Sequence, residues 1–250
     1  MKTVERALAI LDSFTRDMQY QGVTELASKL GLNKSTTHAL LRALKEEGYV
    51  IYDSKSRKYA LGFKVLELAG RISYRRDLRD LALPIMQDLS KLCEEDIALN
   101  ILVEGRRICI ALVESRYFVR QFVPLGKALP LHCSAAGKVL MAYLSPEEIN
   151  AIIERYGLPK FTANTITDKN KLLTELQKIK QQGYGESREE YGIDAASIAF
   201  PIFNGNREVV ASLSIQSTVN RLTDKTKERF IKEGLRASSK ISSLLIEMLT

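Results

Sequence analysis

Apolar residues recur at helical intervals from the start of the chain, where Val4, Ala7, Leu8, Leu11 and Phe14 share one side of a helix expected over 3–15. Gly22 breaks that pattern. Thr24 is placed to cap a short second helix whose inward face is Leu26, Ala27 and Leu30, and Gly31 ends it by tolerating a left-handed backbone. Asn33 is then placed to cap a third helix running to about Glu47, with Gly48 as its stop. Two short helices joined by so tight a turn have helix-turn-helix spacing. The stretch YVIYDSKSRKYALG follows, in which Val50 to Tyr52 and Lys58 to Leu61 flank a polar tip and predict a β-hairpin. A hairpin directly after the third helix is a wing.

From Phe63 the pattern is helical again through Val65, Leu66, Leu68, Ala69 and Ile72, ending in the charged run Arg75 to Asp80. This predicts a winged helix-turn-helix over 1–62, a connecting helix over 63–80 and a larger domain over 81–250. In the larger part, helices are expected at Leu81 to Cys93, Ala135 to Leu144, Pro146 to Tyr156, Lys169 to Gln182 and Asp224 to Met248. Strands are expected at Ile97 to Val103, Arg107 to Glu114, Phe118 to Val123, Ser197 to Phe203 and Val209 to Gln216. Strand pairs interleaved with helices predict an α+β fold with a mostly antiparallel sheet.

On the third helix, successive residues rotate by about 100°. Leu40, Leu41 and Leu44 therefore fall together with Thr37, while Ser35, His38, Ala39, Arg42 and Glu46 fall opposite. Hydroxyl, imidazole and guanidinium groups at the start of a helix suit base edges and phosphates. Lys34, Ser35, Thr36, His38 and Arg42 are the expected DNA contacts on this helix, and Lys55, Arg57 and Lys58 those on the wing. Charge changes the picture in the same direction. The chain carries a net +7, and its excess of Lys and Arg over Asp and Glu is concentrated in the first third.

Composition removes several other classes. No run of apolar residues is long enough to span a bilayer, and Glu5 and Asp12 interrupt the N-terminal stretch as they would not in a signal peptide, which predicts a cytoplasmic protein. Cys93, Cys109 and Cys133 are odd in number and widely spaced, so neither a disulfide framework nor a zinc ribbon is indicated.

The chain resembles the IclR family of bacterial transcriptional regulators. The resemblance is carried by VERALAILDSF, VTELASKLGLNKSTTHALLRALKEEGYV, YALGFKVLELA, LPLHCSAAGKVLMAYL, GYGESREEYGIDAASIAFPIF and VVASLSIQ, which run from Val4 nearly to the C-terminus. It implies an effector domain similar to the GAF fold, holding a small organic or aromatic acid, and a dimer or tetramer associated through the connecting helix. A palindromic operator on double-stranded DNA is the implied partner, with repression and activation both open. Carried over position by position, the effector contacts fall on the backbone N–H groups of Ala135 and Ala136 and on Ser187, Ser197, Ser214 and Gln216, with Gln121 and Leu129 on the wall. Ser187 stands where the family often has an acidic residue, Ser197 where Cys occurs, Gln216 where Ser occurs and Asp194 where Gly is common. The residues themselves point the same way, because His132 to Gly137 precede a helix whose free N–H groups suit a carboxylate, and Ser214 and Gln216 alternate onto one side of a strand.

Enzymatic alternatives are weaker. Cys133 beside His132 suggests a thiol nucleophile, but neighbours on a strand point to opposite faces. Gly137-Lys138 lacks the glycine and the hydroxyl residue of a phosphate loop. The pair Glu189-Glu190 reads as a solvated turn, and no cofactor or catalytic residue is expected; with only His38 and His132 available, a zinc site would have to recruit Cys133 and distant carboxylates, and nothing in the sequence supports one. Two function classes remain: an effector-responsive DNA-binding regulator, and a small-molecule sensor or enzyme whose N-terminal module binds a protein.

Overall fold

The computed structural model describes residues 2–15, 18–70, 73–117, 121 and 123–249. They divide into two compact units, residues 1–76 and 77–250.

The first unit contains α1 (Lys2–Ser13), α2 (Val23–Leu30), α3 (Lys34–Glu46), the hairpin β1 (Val50–Asp53) and β2 (Lys58–Leu61), and α4 (Phe63–Gly70). Ile10, Leu26, Leu41 and Val50 are its fully buried apolar side chains, with Phe14 and Tyr59 against them. Each such side chain removed from water contributes about 1.5–3 kcal/mol. The short α2 starts two residues earlier in the chain than its hydroxyl residue suggests. Gly22 is its cap in place of Thr24, because the Glu25 carboxylate reaches back to accept the Gly22 N–H at 2.8 Å. Gly31, at φ 63°, closes α2 in the left-handed conformation. The helix expected over 63–80 falls on two elements, α4 and α5 (Ser73–Cys93), with residues 71 and 72 outside the described residues.

The second unit is an α+β domain built on one antiparallel sheet. Its further elements are β3 (Asp96–Val103), β4 (Arg106–Val113), β5 (Ala128–Leu129), α6 (Ala135–Ala142), α7 (Pro146–Tyr156), α8 (Lys169–Gln182), β6 (Gly185–Arg188), β7 (Ala195–Phe203), β8 (Val209–Thr218) and α9 (Asp224–Leu249). The strand order is β5-β4-β3-β8-β7-β6. The expected strand over 118–123 lies mostly outside the described residues, while the short β5 and β6 had no signal strong enough to announce them.

Alternation along the central strands separates two faces. Ala211, Leu213 and Ile215 of β8 and Ala196, Ile198, Phe200 and Ile202 of β7 point to one side, where α5 and α9 cover them with Met86, Leu89, Phe230 and Ile241. The opposite parity, Ser212, Ser214 and Gln216 with Ser197 and Ala199, faces α6 and α8. Gly137 lets α6 dock: a Cβ there would lie 2.2 Å from the Leu131 carbonyl oxygen.

Candidate functional site

The exposed side of α3 is the first candidate surface. Leu41 and Thr37 turn inward, with the Thr37 hydroxyl donating to the Asn33 carbonyl at 3.1 Å. Lys34, Ser35, His38 and Arg42 are exposed, and Thr36 is half-buried. Asn33 occupies the N-cap with no side-chain bond to the first turn, so the N–H groups at the start of α3 point outward without a protein partner from that cap. Arg42 lies 3.8 Å from Glu46, an exposed pair weak enough for the guanidinium to exchange partners.

On the hairpin, the Asp53 carboxylate shapes the tip by accepting from Lys55 N–H, Ser56 N–H and the Ser56 hydroxyl, the last at 2.6 Å. These bonds, the Ser56 hydroxyl foremost, hold its pKa below the usual carboxylate value. Lys55 and Arg57 project into solvent, Arg57 from a left-handed backbone at φ 56°. Lys58 differs from them: it is half-buried and pairs with Glu25 of α2 at 3.2 Å. Tyr52 ties the hairpin back, stacking near Tyr59 at 4.9 Å and standing under Lys45 of α3 at 5.7 Å. An open groove of about 610 Å³, lined by Met18, Tyr20, Gln21, Glu25, Lys29 and Lys58, also lies on this unit, beside the Glu25–Lys58 pair.

The second candidate surface is the polar face of the sheet. Ser187, Ser197, Ser214 and Gln216 are all buried, although serine on a strand is more often solvated. Register puts Ser187 opposite Ser197 and Ser197 opposite Gln216, so three adjacent strands align them in one row. Gln216 Nε2 donates to Ser214 Oγ at 2.8 Å, and Ser214 Oγ donates to the Ala98 carbonyl at 3.2 Å. Two residues that sequence reasoning missed extend this chain of hydrogen bonds along the same face, away from that row. Asn100 Nδ2 donates to Ser214 Oγ at 3.1 Å, and Arg107 Nη1 donates to Asn100 Oδ1 at 2.8 Å. Leu129 pairs with Arg107 across β4 and β5 and faces the same way. Val123 packs on Ala98 and Cys109 of this face, and Gln121, two residues earlier, is half-buried with its Oε1 unpartnered.

Helix α6 packs on this polar face, where Ser212 Oγ donates to the Ala136 carbonyl at 3.2 Å. Ser134 caps it by accepting the Gly137 N–H at 3.1 Å, and Lys138 N–H bonds the Ser134 carbonyl. The N–H groups of Ala135 and Ala136 are left as donors that the helical ladder does not use.

Glu190 corrects the expectation of a solvated acidic pair. It is 7% exposed and takes Lys138 Nζ at 2.6 Å, while Glu175 of α8 contacts the same ammonium at 3.3 Å. Burial raises the Glu190 pKa, and Lys138 and the nearby Ser187 hydroxyl oppose that rise. His132 and Cys133 sit in a turn rather than on a strand. The thiol reading fails for another reason: burial pushes the Cys133 pKa up to about 12, and His132 Nε2 is engaged by the Pro159 carbonyl at 3.0 Å. Among the described residues, no group of three or more His, Cys, Asp or Glu is placed to hold a metal ion.

Comparison with known proteins matches both units. Residues 3–54 match the IclR helix-turn-helix domain, and residues 71–243 match the family described as bacterial transcriptional regulator IclR C-terminal. The HTH-type transcriptional regulator XynR of Escherichia coli is 31% identical over 245 residues, covering 98% of this chain and 97% of that protein. The crystal structure of the Thermotoga maritima IclR superposes with a TM-score of 0.81 at 27% identity, covering 98% of this chain and 99% of that one. An IclR homolog from Microbacterium hydrocarbonoxydans, complexed with 4-hydroxybenzoate, shares the fold with a TM-score of 0.85 at 24% identity, covering 97% and 98%.

Proposed function

The chain belongs to the IclR family of bacterial transcriptional regulators, and from that we propose that it binds a palindromic operator as a dimer and responds to a small organic or aromatic acid held on the polar face of its C-terminal domain. The observation that carries the DNA half is the row of Lys34, Ser35, His38 and Arg42 on the exposed side of α3, directly after a cap that leaves backbone donors free. The outward N-terminal turn attracts a phosphate, the Arg42 fork suits the acceptor edge of guanine, and Lys55 and Arg57 at the hairpin tip reach backbone or minor groove. One such head covers a half-site, so specificity requires two heads and a two-fold symmetric target.

In the C-terminal domain, the free N–H donors of Ala135 and Ala136 receive the acid's carboxylate, and Ser187, Ser197, Ser214 and Gln216 bond its remaining polar groups, with Gln121 and Leu129 as wall. Occupancy then shifts the placement of the heads, coupling the two sites by about 1–3 kcal/mol. Footprinting of the full chain on the duplex upstream of its own gene, with mass measurement of the complex, tests the assembly. Two protected half-sites of related sequence under a dimer or tetramer support it, and a single protected site under a monomer contradicts it.

A further inference from the structure

Arg107 enters the polar face as a cation with nothing to neutralise it. It is 7% exposed, its Nη1 is engaged by Asn100 at 2.8 Å, and its Nε is enclosed without a partner. No carboxylate among the described residues pairs with it. A guanidinium keeps its proton even where burial lowers its pKa, so the charge stands uncompensated, and the edge formed by Nε and Nη2 has the planar shape that takes a carboxylate through two parallel bonds. A charge held inside a fold in this way is unfavourable until an anion joins it.

Contacts on two sides place Arg107 among the residues assigned to the acid. Leu129 is its direct partner across β4 and β5, and Asn100, which accepts from Nη1, donates to Ser214 Oγ at 3.1 Å. Arg107 therefore stands between a wall residue and a polar contact of the effector reading. The same contacts lead to the start of α6. Asn100 lies opposite Ser212 on the neighbouring strand, about 5 Å away. Ser212 Oγ in turn donates to the Ala136 carbonyl at 3.2 Å. The unused N–H groups of Ala135 and Ala136 and the open edge of Arg107 are thus two anion-binding groups on one face of the sheet, joined through Ser212 and Asn100. We infer that the acid accepted by this chain is a dicarboxylate, with one carboxylate on the N–H groups of Ala135 and Ala136 and the other on the Nε–Nη2 edge of Arg107. The inference rests on the effector reading above, keeps the first carboxylate where that reading puts it, and adds the residue that selects a second negative charge.

Isothermal titration of the full chain with succinate, glutarate, adipate and terephthalate, each set against its own monomethyl ester, tests it, because the ester keeps the length and removes one charge. The expected result is that at least one diacid binds about thirtyfold or more tightly than its ester. In Arg107→Gln that preference falls to about threefold or less, while affinity for the ester, which still has its carboxylate on α6, changes by no more than about threefold. Arg107→Lys, which keeps the charge without the fork, falls between, and thermal melts confirm that each variant is folded. Esters binding as tightly as every diacid, no diacid binding at all, or an undiminished preference in folded Arg107→Gln overturns the inference. Should neither variant fold, the ratio of diacid to ester affinity in the native chain decides. A monoester that binds as tightly as its diacid and shifts operator affinity would leave the effector reading standing, whereas operator affinity unmoved by every acid that binds would bring down that reading as well.

Discussion

Lys138 Nζ sits 2.6 Å from Glu190 Oε1, with the lysine side chain 1% exposed and the glutamate 9%. The pair ties the start of α6 to the loop between β6 and β7, and Glu175 extends the tie to α8. Replacing Lys138 by Met strands Glu190 without its counter-ion, and the expected loss is about 3–5 kcal/mol in urea unfolding. Lys138→Met combined with Glu190→Met recovers part of that loss, because the stranded charge goes too. A double variant as unstable as the single one would mean that packing of the lysine stem, not the ion pair, dominates.

Arg42 is assigned to base recognition, and its exposed pairing with Glu46 costs little to break. Arg42→Ala is expected to lower affinity for the operator by about 1–3 kcal/mol while changing affinity for random duplex much less. Equal losses on the two duplexes, measured by fluorescence anisotropy, would make Arg42 a phosphate contact.

His132 gives the stability a pH dependence of known sign. Burial outweighs the Pro159 carbonyl and, helped by Arg106, holds its pKa below the ordinary 6.5. The unfolded chain therefore takes up a proton that the folded chain refuses, so the stability this residue contributes is complete above pH 6.5 and is lost as pH falls from there through the folded pKa. Melting temperatures of the native chain and His132→Gln should converge as pH falls below 6.5. A difference that stays constant or widens on acidification would show that His132 is protonated in the fold.

All three cysteines are buried, with pKa values pushed up to about 12 for Cys93 and Cys133 and about 11 for Cys109. The native protein at pH 8 should react with a thiol reagent far more slowly than the urea-unfolded chain. Fast labelling of Cys133 in the native state would reopen a nucleophilic role.

The DNA-reading head was legible because its signals are local. Gly31, the spacing of Leu41 with Thr37, and the polar tip between Val50 and Leu61 each act within a few residues of where they stand. The pairing of Lys58 with Glu25 was not legible, because the two stand 33 residues apart. The polar face was legible in part: Ser214 and Gln216 advertise it by alternation on β8. Arg107 did not, because a bulge between Leu99 and Asn100 shifts the pairing of β3 with β4 and brings Arg107 and Cys109 onto that face. Glu190 and Lys138, 52 residues apart, look like surface charges until the fold buries them together.

Specific reading of duplex DNA is the role proposed for residues 34–42 of α3 and the hairpin. Anisotropy titration of the full chain on its own upstream duplex, with excess random competitor and at two salt concentrations, tests this most directly. The expected result is binding that survives the competitor and weakens steeply as salt rises, with Arg42→Ala losing the competitor-resistant part. No retention above the competitor level at either salt concentration would contradict it.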